Sequence, residues 1–253
     1  MESKNYDIFS IVADTIIKWY KQTHTAITEK RPIRPNFDSE LLGILLAAKS
    51  QTSGALTTLA NDHILSTHGL LRILVETYAV LRWALNVSAT DEGVKSGEVY
   101  KRLRSWDHHR AVKDKALLEE QSQTPEIKSN LKQVKSDIDG YEKAGIKELP
   151  CVQQLYSDLG KGWGKVYTAF YRKYSRAVHL NRNVTQELAW IKYEGERPKN
   201  ILHKDDIEPD GDELLNIASI SCDINIAIRD FYGWHFEAIR NEYEQIKSNL
   251  ANT

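Results

Sequence analysis

The sequence predicts an all-α helical bundle from which a charged helical hairpin protrudes. Three observations carry this. Apolar residues recur at helical spacing in several long segments. Period-two alternation, the mark of strands, is almost absent. A polar stretch in the middle of the chain keeps helical periodicity with only a sparse apolar stripe. At 253 residues, with 41% hydrophobic and 27% charged residues, the chain suits one helical domain spanning 1–253, with 99–144 inserted in it as a hairpin subdomain.

The elements follow in order. Ile8, Phe9, Val12, Ile16, Trp19 and Tyr20 make one stripe of a helix over 6–28. The two prolines of RPIRP, 31–35, end it. Asp38 or Ser39 is placed to cap a second helix carrying Leu41, Leu42, Leu45 and Leu46. Gly54, in SQTSGALTT, marks either a kink with close helix approach or a break. The segment 61–86 is apolar nearly all round, so it reads as the central, most buried helix. Arg72 and Glu76 sit four apart within it, which is costly unless they pair.

SATDEGVKSGE, 88–98, reads as a turn-rich connection. Helices over 99–121 and 125–144 form the hairpin, the second started by Thr124-Pro125-Glu126. A short helix over 152–159 and the glycine cluster GKGWG lead to a helix over 166–183. Thereafter LAWIKYEG suits a short strand, RPKNILHKDDIEPDGD a loop, and Asp212 caps a last helix running to about residue 248.

The most informative chemistry lies in VYTAFYRKYSRAVHLNRN, 166–183. Between Lys165 and Gln186 there are five Lys/Arg and no Asp or Glu, although the whole chain has a net charge of −1. Tyr171, Ser175 and His179 are four apart and share one helix face. Arg172 and Arg176 occupy the adjacent stripe. Such a cluster suits an anion: an imidazole for proton transfer and a guanidinium for phosphate charge. RNA cleavage by the 2′-hydroxyl needs no metal and no cofactor. The alternative is structural: His179 interacts with the helix C-terminus, and Tyr171 and Ser175 bond neighbouring helices.

Arg172, six intervening residues and His179 resemble the Arg-(four to six residues)-His motif of HEPN domains, with Lys173 where that motif often has Asn, Asp or His. The resemblance implies a metal-independent endoribonuclease of a bacterial toxin or phage-defence system. It also implies RNA as partner and a composite site across a homodimer. HGLLRILVETYAVLRWAL together with YRKYSRAVH is similar to a bacterial family of unknown function pairing an Arg-x-x-x-Glu helix with a Tyr-x-x-x-Ser-x-x-x-His helix. That similarity implies that Arg72 and Glu76 face Ser175 and His179, where Glu76 would orient the imidazole and favour its charged form. The candidate catalytic residues are thus Arg172 and His179, supported by Arg72, Glu76, Tyr171, Ser175 and Arg176. The rival reading is a non-enzymatic module that binds a nucleotide or phosphate, or a partner protein.

Other signals exclude more than they assign. GKGWGK has too few residues between its glycines for a phosphate loop, and Val166 stands where Ser or Thr is needed. Asp206-x-Glu208-x-Asp210-Gly211 lacks the closing Glu of a calcium loop. His63 and His68 are poorly spaced as metal ligands, so no metal is expected. Cys151 and Cys222 give no disulfide framework. The polar start MESKNYDIFS is unlike a signal peptide, and no run approaches the ~18 apolar residues of a membrane span. A cytoplasmic protein without membrane contact is the expectation.

Overall fold

The computed structural model describes residues 3–29, 34–122, 124–158, 162–166, 171, 174, 189–194, 197–203 and 212–251. Its elements run α1 (Ser3–Glu29), α2 (Pro35–Ala60), α3 (Ile64–Leu85), α4 (Glu92–Glu120), α5 (Pro125–Lys143), α6 (Val152–Asp158), α7 (Trp163–Val166), β1 (Ala189–Glu194), β2 (Arg197–His203), α8 (Asp212–Phe231) and α9 (Glu237–Ala251). The fold is an all-α bundle. Helices α1, α2, α3 and α8 pack on one another around a single large core, with α4, α6 and α9 added at its sides.

The stripe predicted for α1 is buried: Val12, Ile16, Trp19 and Tyr20 are each at most 2% exposed. Helix α2 starts a few residues before the expected caps. Pro35 takes its first turn, where a missing N–H costs nothing, and Arg34 is the N-cap. Asp38 lies inside that turn and its Oδ2 accepts from the Arg34 backbone N–H at 2.6 Å. The helix runs unbroken through Gly54. A Cβ there would lie 3.2 Å from Leu70 Cδ1, so the glycine serves close approach of α2 to α3. Thr58 and Thr67 share a hydrogen bond of 2.8 Å across the same crossing.

Helix α3 touches α2, α4, α6 and α8. It is central, yet α8 is buried more heavily: eleven of its 20 residues against ten of 22. The reason is the charge on α3, where Arg72, Glu76 and Arg82 keep parts of its surface polar. By length and apolar composition α3 is also sufficient to cross a membrane, contrary to the expectation for any segment of this chain. Half of that apolar window is buried inside the bundle, as in the core helix of a packed domain.

The connection expected over 88–98 is mostly helical. Asp91 caps α4, its carboxylate accepting from Val94 N–H at 2.9 Å, and Glu92 follows in the first turn. The first part of α4 belongs to the core through Val99 and Leu103. Beyond His108 no residue of α4 is buried, and in α5 only Ile138 is. The two helices run antiparallel. Arg104 reaches Tyr141 at 3.4 Å near one end, and Lys135 pairs with Glu119 at 3.1 Å near the other. Few apolar contacts hold the distal part. Amide exchange over 110–140 should therefore be at least about tenfold faster than over 64–82. Equal protection, read by mass spectrometry, would mean the hairpin is packed as tightly as the core.

Strand β1 falls on the predicted LAWIKYEG. The loop predicted after it is partly wrong, because 197–203 pairs antiparallel with β1, from Ala189↔His203 to Glu194↔Arg197. Pro198 argued against a strand. It stands where the register shifts beside Tyr193, a position at which proline is tolerated. The single C-terminal helix is also corrected: it is two helices. Gly233 adopts φ +67°, Trp234 N–H donates to Arg229 C=O and Gly233 N–H to Asp230 C=O, each at 2.9 Å. These bonds terminate α8 in a Schellman motif.

Candidate functional site

Helix spacing puts His68, Arg72 and Glu76 on one stripe of α3, each one turn from the next. The stripe faces the start of α8 and Tyr171 and Tyr174. Arg72 Nη2 donates to Glu76 Oε1 at 3.2 Å and to Tyr171 Oη at 3.3 Å. Its guanidinium lies 5.4 Å from the centre of the Tyr171 ring. The Arg72 and Glu76 side chains are only 20% and 18% exposed. The pairing that the sequence demanded of two charges on an apolar helix is therefore made.

One turn toward the N-terminus, His68 Nε2 lies 3.0 Å from Glu213 Oε1 on α8. The side chains are 16% and 5% exposed. The His68 ring packs against Tyr174, centroids 5.0 Å apart, and Asn216 Nδ2 donates to Tyr174 Oη at 2.7 Å. Tyr174 is fully buried.

The electrostatics follow from this packing. Burial works against the charge on Arg72, but the Tyr171 hydrogen bond and the Glu76 carboxylate outweigh it and raise its pKa. Burial pushes the Tyr171 hydroxyl up, against the hydrogen bond from Arg72. Tyr171 thus stays neutral and Arg72 charged at any physiological pH.

The structure brings three of the seven sequence-predicted site residues together: Arg72, Glu76 and Tyr171. Arg172, Ser175, Arg176 and His179 lie outside the described residues, as does most of the 166–183 segment. Sequence reasoning missed His68, Glu213 and Asn216. The signal for His68 was its spacing of four from Arg72. It was weighed only as a metal ligand, beside His63. Glu213 sits 145 residues away in sequence, so nothing local announces it. Among the described residues no group of three or more His, Cys, Asp or Glu could hold a metal ion.

A second polar cluster lies farther along α3. Burial pushes the Asp223 carboxyl up to about 6, against the charges of Arg82 and Arg240 and a hydrogen bond with Tyr78. Burial and then Asp223 push the Cys222 thiol up to about 12, so it is an inert core thiol. The folded-state pKa of Asp223 lies above its ordinary 3.8, so folding favours the protonated form. Stability contributed by this group is greatest at low pH and falls as pH rises from 3.8 through about 6. Near pH 7 the ionised carboxylate costs about 3 kcal/mol. Asp223→Asn should raise the urea midpoint at pH 7.5, and the gain should shrink as the pH is lowered toward 4. A gain independent of pH, or none, would place the carboxylate in solvent.

Compared with family models, curated proteins and solved structures, the chain finds no match.

Proposed function

We propose that this chain is a HEPN-like, metal-independent endoribonuclease of a bacterial toxin or phage-defence system. In this reading His179 transfers the proton and Arg172 holds the developing phosphate charge, with Ser175 and Arg176 beside them. The observation that supports it is the bond from Arg72 to Tyr171. It ties a buried, paired cation on α3 to the residue directly before Arg172, and so fastens the base of the cationic segment to the core. A site that must hold reacting groups within fractions of an ångström needs such support. The reading places the protein in the cytoplasm, acting as a homodimer.

A second reading, a non-enzymatic phosphate-binding or protein-interaction module, has its own support. Arg72 uses one Nη on both Glu76 and Tyr171, which is how a residue that locks helices is used.

Purified protein incubated with RNA in EDTA separates the two. The enzyme should cut, and the products should carry 2′,3′-cyclic phosphate ends, because no metal-activated water is involved. RNA that is retained but uncut supports the binding module. RNA neither bound nor cut leaves only a protein-interaction role.

A further inference from the structure

We infer that His68, held by Glu213, is the general acid that protonates the leaving 5′-oxygen in the RNA cleavage proposed above. This inference rests on that reading. Cleavage through the 2′-hydroxyl moves two protons in opposite directions. A base takes the 2′-hydroxyl proton while the 2′-oxygen bonds to phosphorus. The P–O5′ bond breaks, its electron pair stays on O5′, and that oxygen must receive a proton. The products are a 2′,3′-cyclic phosphate and a 5′-hydroxyl, with no change of oxidation state. One imidazole can serve both steps only in sequence. A second proton carrier lets them coincide.

His68 is built for that task. Glu213, 5% exposed, stands 3.0 Å from Nε2 and pairs with the protonated ring, which is the form that gives up a proton. With Nε2 against the carboxylate, the other nitrogen, Nδ1, is the one turned to a substrate. The ring cannot swing away: the buried Tyr174 packs against it at 5.0 Å, and Asn216 fixes Tyr174 in turn. The side chain still keeps 16% of its surface open. Arg72 follows one turn along the same stripe, about 6 Å farther along the axis. A fixed carboxylate–imidazole pair beside a guanidinium matches the needs of a phosphodiester. A purely structural pair would not require the imidazole, since a lysine or arginine would neutralise Glu213 equally well.

The test compares two substrates in the full-length protein. RNA has an alkoxide leaving group that needs a proton. Uridine 3′-(p-nitrophenyl phosphate) has a leaving group that departs without one. His68→Gln is the variant of choice, because it keeps an N–H donor toward Glu213 and the fold with it. It should slow RNA cleavage about 100-fold or more, the usual worth of a general acid. Release of p-nitrophenolate should stay within about threefold of wild type, since that step no longer calls on an acid. Glu213→Gln should slow RNA cleavage less than His68→Gln and also spare the activated ester. Equal losses on both substrates would make His68 a structural residue and overturn the inference. Unchanged cleavage of RNA would overturn it too, while leaving the ribonuclease reading intact. Wild-type protein that cuts neither substrate sinks the ribonuclease reading itself, and the assignment of His68 falls with it.

Discussion

His179→Ala protein should cut RNA at least about 100-fold more slowly than wild type while unfolding at the same temperature. Its segment, 165–186, holds five cationic residues and no acid, and His179 is the only histidine in it. A proton carrier among fixed cations is what phosphodiester cleavage requires of a protein that uses no metal. Arg172→Lys should also impair cleavage, by roughly 10–100-fold, because lysine keeps the charge and loses the fork that spans two phosphate oxygens. The pair of variants separates charge from geometry. A cation that merely attracts RNA should survive the exchange, with the loss confined to KM. A cation that stabilises the transition state should lose kcat. Initial rates in EDTA read both. Cleavage by His179→Ala at the wild-type rate removes the enzyme reading and leaves the binding module.

Helical periodicity made the bundle legible because a long amphipathic helix repeats its signal many times. The stripe of α1 and the apolar surface of α3 are examples. What escaped were features carried by one or two residues. The end of α8 depends on Gly233 alone, and the glycine was read through because the apolar residues continue on both sides of it. The start of α4 depends on Asp91 capping a stretch whose small and polar residues look like a turn. Strand β2 was lost to Pro198, whose tolerance follows from a register shift that only pairing reveals. The site divides in the same way. Arg72 and Glu76 could be paired from sequence because they are four apart on one helix. Glu213 reaches His68 only after α8 packs on α3, and contacts made by packing leave no periodic trace.

The largest expected loss of stability is at Asp38. Its side chain has no exposure, and a buried carboxylate must be compensated on every side. Oδ2 accepts from the Arg34 N–H at 2.6 Å and Oδ1 from the Tyr232 hydroxyl at 2.7 Å. The Arg34 guanidinium lies 3.8 Å away. These groups come from the start of α2 and the end of α8, so the carboxylate joins two helices far apart in sequence. Arg34 carries the junction on to α4, where it bonds Ser96 and Glu92. Aromatic rings close over it: Phe37 lies 5.4 Å from Phe231, and Tyr232 stacks on Trp234 at 4.4 Å. Asp38→Ala leaves a helix-start N–H, a hydroxyl and a guanidinium without their acceptor inside that cluster. The cost should be about 3–5 kcal/mol, the range for breaking a buried charged network. In a chain of this size that corresponds to a fall in Tm of roughly 10 °C or more. Tyr232→Phe deletes one hydrogen bond and keeps the ring, so it should cost only about 1–2 kcal/mol. Both are read from urea unfolding at neutral pH, where Asp38 is ionised. If Asp38→Ala unfolds at the wild-type midpoint, water replaces the carboxylate at no cost and the junction contributes nothing to the bundle. If Tyr232→Phe costs as much as Asp38→Ala, the hydroxyl, and not the charge, holds the two helix ends together.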